Sequence, residues 1–267
     1  MITRRRLGFT LGALLVPASA AYAQAVPEAI KSRGVVRVAI EFGRPPWAFK
    51  DDKLEMDGSD VDTAKLLADD MGVKLQVVDV TGPNRVSFLV TGKADLVIST
   101  FSITPEREKV VDFSRPYASA LQYVAAPKEL EIASLSDLVG KRVGVTRGTT
   151  GDTAITAAAA KVPGIDIVRF DDESTNMTAF ASGQVPAVVQ EPATVQVIAE
   201  RNPARHFETK FLLAQFPVGI GVKKNQSELK AWLDHWVTAN MENGKLNGIY
   251  RKYNGVDLPA EIRSPGH

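Results

Sequence analysis

Residues 99–117 read Ser-Thr-Phe-Ser-Ile-Thr-Pro-Glu-Arg-Glu-Lys-Val-Val-Asp-Phe-Ser-Arg-Pro-Tyr, and they follow the apolar run Ala-Asp-Leu-Val-Ile of residues 94–98. The run reads as a buried strand. Ser99, Thr100 and Ser102 stand at its exit. Thr104-Pro105-Glu106-Arg107 then reads as a helix start, with Thr104 as the capping hydroxyl and Pro105 at the first helical position. A strand that empties into a helix in this way is the repeating unit of α/β folds. The same turn is suited to an anionic ligand. Hydroxyls and unpaired backbone N–H groups supply donors, and the Arg107 guanidinium can form a bidentate, charge-assisted pair with a carboxylate. On residue type alone, Arg107 serves equally well in a surface ion pair with Glu108 or Asp112.

Outward from this stretch the pattern repeats. Strand-like runs cover residues 35–40, 73–80 and 94–100, alternating with helical patterns over 62–71, 85–91 and 105–111. A second set follows, with strands over 142–145, 165–170 and 185–190 and helices over 150–160, 174–182 and 192–201. Two α/β units are expected, each a mainly parallel sheet flanked by helices. Ligands on such sheets collect where strands end and helices begin. Further helices are expected over 226–241 and 245–253. In the first of these Leu229, Trp232, Leu233 and Trp236 recur at the spacing of one buried stripe, a packing face rather than an aromatic cage.

The N-terminus reads as an export signal: Arg4, Arg5 and Arg6, an apolar run over residues 7–16, then small residues ending Ala21-Tyr22-Ala23, with cleavage expected after Ala23. The run is short of the roughly 20 residues that span a bilayer. Of the 32 basic residues the segment removes three, leaving 29 against 31 acidic ones. That balance gives no reason to expect nucleic acid or an anionic membrane surface as partner. The chain has no cysteine, which excludes disulfides, thiol catalysis and thiolate metal sites. His206, His235 and His267 lack metal-ligand spacing, no Walker sequence is present, and Gly219-Ile220-Gly221 lacks the third glycine of a dinucleotide fingerprint. No metal and no cofactor is expected.

Residues 99–117, together with Val143-Gly144-Val145-Thr146-Arg147-Gly148-Thr149-Thr150-Gly151-Asp152, closely resemble the periplasmic amino-acid-binding proteins of ABC importers, the bacterial extracellular solute-binding proteins of family 3. The resemblance runs from about Val35 to Tyr253. It implies the two-lobed periplasmic-binding-protein fold of type II. Residues 24–118 and 218–267 would form one lobe and residues 119–217 the other, joined by two hinge crossovers.

The resemblance also implies site roles. Arg107 would take the α-carboxylate of an amino acid, with Thr100 and Ser102 hydrogen-bonding the ligand and Ser99 beside them. Thr150, with Thr149, would meet the same carboxylate from the opposite wall. Glu191 stands where the family has an aspartate for the ammonium; its plainer reading is a carboxylate at the start of the next helix. Pro186 stands where the family commonly has aspartate, so an edge position or a bend is expected there. Glu41 falls at a commonly acidic position, and Arg44 replaces a frequent aromatic that stacks on the ligand, with Phe42 or Trp47 able to restore apolar contact. Gly82-Pro83-Asn84-Arg85 resembles the acidic-amino-acid receptors, in which an arginine at this helix start meets the side-chain carboxylate; Asn84 lies beside it.

The expected function is therefore that of an extracytoplasmic receptor, monomeric and periplasmic, which closes on a polar, acidic amino acid and delivers it to a membrane ABC permease. No catalytic step is expected. A receptor for basic amino acids held by Glu41 is the alternative, and an enzyme resembling cyclohexadienyl dehydratase, with Glu191 as acid, is the rival class.

Overall fold

The computed structural model describes residues 26–263. The expected export segment and His267 lie outside them. Strands run Val35–Ile40 (β1), Phe49–Lys50 (β2), Met56–Asp57 (β3), Lys74–Asp79 (β4), Leu96–Val97 (β5), Val111–Phe113 (β6), Ala118–Pro127 (β7), Arg142–Thr146 (β8), Asp166–Phe170 (β9), Ala187–Gln190 (β10), Phe207–Val218 (β11) and Gly221–Lys223 (β12). The helices are Glu28–Arg33 (α1), Ser59–Met71 (α2), Arg85–Val90 (α3), Pro105–Glu108 (α4), Thr150–Lys161 (α5), Glu173–Ser182 (α6), Pro192–Arg201 (α7), Ser227–Glu242 (α8), Lys245–Asn254 (α9) and Ala260–Arg263 (α10).

Two five-stranded sheets form the two lobes, in the orders β4-β1-β5-β12-β6 and β11-β7-β10-β8-β9. Each is parallel on one side and antiparallel on the other. In the first, β1 pairs parallel with β4 and β5, while β12 is antiparallel to both β5 and β6. In the second, β8 pairs parallel with β9 and β10, whereas β7 is antiparallel to β10 and to the long β11. The strands β7 and β11 have no counterpart in the periodicity of the sequence. Their burial follows neither a continuous run nor a clean alternation, because they pass from one lobe into the other and change neighbours on the way.

The lobes are packed separately. Val36, Val38 and Ile40 of β1 bury against Leu67 and Met71 of α2 and against Leu229, Trp232, Leu233 and Trp236 of α8, so the stripe read from sequence is the inner face of the last long helix. Burial of each such side chain stabilises by roughly 1.5–3 kcal/mol. The second lobe buries Val143, Val145 and Val189 against Leu138 and Ile155 on one face, and Val188 and Ala125 against Met177, Phe180 and Phe207 on the other.

Two local expectations change. The helix expected over 105–111 ends at Glu108, and Val111–Phe113 turns into an edge strand whose Val111 and Phe113 are buried. Of the two expectations at Pro186 the bend holds and the edge does not: it lies in a bend just before β10, which is central in its sheet, and the ladder to β8 begins one residue later at Ala187, so no strand N–H is missed.

Candidate functional site

Residues at the strand ends of both sheets line one cavity, among them Thr100 and Ser102 after β5, Thr146 at the end of β8 and Gln190 at the end of β10. β5 leads into the turn that carries Ser99, Thr100 and Ser102. Thr104 caps α4 as expected, accepting from the Arg107 backbone N–H at 3.3 Å with Pro105 at the first turn. The cap aims Arg107 back at the turn, where Nη1 donates to the Ser102 carbonyl at 2.8 Å. Nη2 donates to the Gly148 carbonyl of the opposite lobe at 3.2 Å. The Ser102 and Thr150 hydroxyls meet across the cleft at 3.1 Å. Asp112 pairs with Lys224 instead, and among the described residues Arg107 has no carboxylate partner.

Arg85 enters from α3. Nε and Nη1 are fixed on the carbonyls of Gly82 and Ser99, at 3.1 and 2.9 Å, and the side chain lines the cavity at 2% exposure. The Arg85 and Arg107 guanidinium groups both lie over the fully buried Phe101 ring, 5.4 and 4.6 Å from its centroid. Burial pulls both pKa values down, and for Arg107 the charge of Arg85 adds to the effect and brings it to about 9. Glu41, Glu173 and Asp60 oppose the shift of Arg85, whereas no carboxylate opposes that of Arg107, so Arg107 is where an anion would relieve a desolvated charge.

Arg44 behaves differently. Its Nη2 lies 2.5 Å from Glu191 Oε1 across the cleft, and Gln122 Nε2 donates to the same oxygen at 3.0 Å. Burial lowers the Arg44 pKa, but Glu191, Glu173, Glu41 and Asp60 together outweigh it and the net shift is upward. Burial raises the pKa of Glu191, with Arg44 opposing. Glu191 occupies the cap position of α7, yet its side chain makes no capping bond, so its carboxylate serves the cleft and not the helix.

The remaining sequence candidates fall in three places. Thr149 lines the cavity but spends its hydroxyl on the cap of α5, accepting from the Asp152 N–H at 3.2 Å and donating to the Thr146 carbonyl at 2.7 Å. Thr100, in the left-handed region at φ 44°, donates to Asp60 Oδ2 at 2.9 Å. Ser99 accepts from the Glu41 N–H at 3.1 Å, and Glu41 accepts from the Gly82 N–H at 2.9 Å; both bonds lie behind the cavity wall. Burial raises the Glu41 pKa, and Arg85 opposes. Phe42 and Asn84 lie outside the lining: Phe42 packs against the first core, and the exposed Asn84 donates to Thr81.

Four polar lining residues went unread in the sequence, Gln122, Thr146, Glu173 and Gln190, and with them the apolar Val189. Thr146 and Gln190 end β8 and β10, and the rule that ligands gather at strand ends could have found them. Thr146 donates to Glu173 Oε2 at 2.7 Å, and Gln190 donates to Oε1 of the same carboxylate. The cavity that these residues line with Arg44, Arg85, Thr100, Ser102, Thr149, Thr150 and Glu191 measures about 10 Å³, room for about one water; Arg107, Ser99 and Glu41 lie outside its lining, Arg107 being joined to it through Ser102.

Along most of its length the chain is similar to curated and structurally solved amino-acid-binding proteins. The chain is 32% identical over 211 residues to the glutamine-binding protein GlnH of a Bacillus subtilis ABC transporter, covering 78% of this chain and 76% of that protein. A crystal structure of a mutant arginine-binding protein, ArgBP from T. maritima, superposes with a TM-score of 0.78 at 34% identity, over 86% of this chain and 99% of the other. The ancestral amino-acid-binding protein AncCDT-1, a precursor of cyclohexadienyl dehydratase, gives a TM-score of 0.78 at 31% identity, over 85% and 98%. The family model for bacterial extracellular solute-binding proteins, family 3, matches residues 36–256, and with the two sheets, the two crossings and the arginine-lined cleft in place, this chain belongs to that family.

Proposed function

We propose that the protein is the periplasmic receptor of an ABC importer and that its solute is an acidic amino acid, glutamate or aspartate. The observation that carries this reading is the pair of guanidinium groups, Arg85 and Arg107, that lie over one aromatic ring, Arg107 with no carboxylate partner among the described residues. Arg107, Ser102 and Thr150 would hold the α-carboxylate, Arg85 the side-chain carboxylate, and Glu191 the ammonium. Closure of the lobes would then bring donors from both walls onto one solute and present a joint surface to a permease. Glu191 is engaged by Arg44 and Gln122, which supports an acceptor for an ammonium rather than a free general acid, so binding without catalysis is the function inferred.

A basic amino acid is the second reading. It is favoured by buried carboxylate oxygens with no hydrogen-bond partner among the described residues, Glu41 Oε2 and Glu191 Oε2, and by the arginine-binding structural neighbour. Thermal melts of protein freed of bound amino acid distinguish the two. At a hundredfold excess over Kd a solute adds about 2.7 kcal/mol, a rise of roughly 5–10 °C for a chain of this length. Glutamate or aspartate is expected to produce that rise. Arg85→Met is expected to abolish it, and Arg85→Lys to restore part. Stabilisation by arginine or lysine and not by the acids would overturn the assignment.

A further inference from the structure

The ion pair between Arg44 and Glu191 joins the two lobes at the group that the preceding reading gives to the solute's ammonium. Arg44 is held in a closed turn just after β1: its N–H donates to the Ala48 carbonyl at 3.0 Å, and the Ala48 N–H returns to the Arg44 carbonyl at 3.1 Å. From there the side chain crosses to Glu191, and the two side chains are 9% and 2% exposed. What the guanidinium gives Glu191 is a positive charge and an N–H donor. An α-ammonium gives the same.

The contact is made by a single nitrogen. Among the described residues Arg44 Nε and Glu191 Oε2 are buried with no partner, so the two-pronged arrangement that makes arginine–carboxylate pairs strong is missing. Removing either partner from a buried pair leaves an uncompensated charge, which is strongly destabilising. Exchanging one cation for another avoids that cost. The surrounding space of about 10 Å³ cannot hold an amino acid beside the guanidinium.

Resting on Glu191 as the ammonium acceptor, we propose that Arg44 is a tethered competitor for the amine subsite: it neutralises Glu191 and holds the lobes together until the solute's ammonium takes its place. Arg44 thereby sets specificity. A dicarboxylate that lacks an amine has nothing with which to displace it, even though Arg85 and Arg107 suit both of its acid groups.

The test uses the mature chain, unfolded and refolded to remove bound amino acid, with glutamate and glutamine as probes. Small-angle scattering of the wild type is expected to give nearly the same radius of gyration with and without probe. Arg44→Met is expected to be larger without probe, to contract on adding it, and to bind about tenfold more tightly, since the binding-competent fraction is no longer depleted by the competitor. Glu191→Gln is expected to expand as well and to lose affinity. An Arg44→Met protein as compact as the wild type, or one that binds no tighter, overturns the proposal; weaker binding would make Arg44 a direct solute contact. If neither probe nor any other common amino acid binds the wild type, the functional reading falls, and expansion of Arg44→Met alone then upholds or overturns the latch.

Discussion

Arg107→Ala tests the carboxylate grip directly. The substitution removes the donors to the Ser102 carbonyl at 2.8 Å and the Gly148 carbonyl at 3.2 Å, the second of which spans the lobes, and it uncovers the Phe101 ring. For a buried charge pair, truncating one partner costs about 2–5 kcal/mol. Arg107 is half-buried, and the Ser102 and Thr150 hydroxyls and the first N–H groups of α5 remain to serve the carboxylate, so the lower half of that range applies. The affinity for the amino acid should fall about a hundredfold. Fold stability should fall by roughly 1–3 kcal/mol, the net worth of two hydrogen bonds. Calorimetric titration read together with a thermal melt separates the two effects. Arg107→Lys keeps a charge but not the fork and should recover part of the loss. An unchanged Kd in a folded Arg107→Ala protein would refute the placement of the carboxylate.

Two further outcomes follow from the walls of the cleft. Asp60 is buried beneath Thr100 and Tyr117, and burial raises its pKa to about 6, against the hydrogen bond from Thr100. A carboxyl raised in the folded state favours folding below its unfolded pKa, and that contribution is lost as pH rises through about 6. Urea melts from pH 4 to 7 should therefore show a fall in stability with rising pH that is shallower in Asp60→Asn; identical slopes would remove Asp60 as the cause. Gly43, at φ 79°, lies so close to Ser174 of the other lobe that an added Cβ would sit 1.8 Å from its Oγ. Gly43→Ala should hinder closure and weaken amino-acid binding, and Ser174→Gly in the same chain should restore part of it. Calorimetric titration of the single and double variants checks this, and a Gly43→Ala affinity equal to the wild type would show that the contact does not limit closure.

Much of this architecture was legible because strand-to-helix punctuation is local. Residues 99–107 declare a strand exit, a cap and an arginine within nine positions, and the structure realises each. The stripe of α8 was legible for the same reason, since one helix face repeats in its own sequence. What was hidden depends on register between distant segments. Gln122 reaches the cleft because β7 pairs with β10, an antiparallel contact that no nearby residue signals. Glu173 is the first residue of α6, and only the arrival of Thr146 and Gln190 from two other strands makes it part of the cavity. Arg44 was recognised as a departure from an aromatic position, but its partner lies 147 residues away.

The strand order carries a consequence for how the chain assembles. The sheet β11-β7-β10-β8-β9 is complete within residues 118–218, whereas the sheet that begins with β1 still lacks β12, Gly221–Lys223, which must slip between β5 and β6. A polypeptide emerging from its N-terminus can therefore finish the inserted body first, while the body it started stays open along its middle until nearly the end. Such late, long-range strand insertion is slow and leaves apolar edges exposed while it waits. Shortening the chain from the C-terminus past Lys223 should spare the inserted half and abolish the half begun earlier.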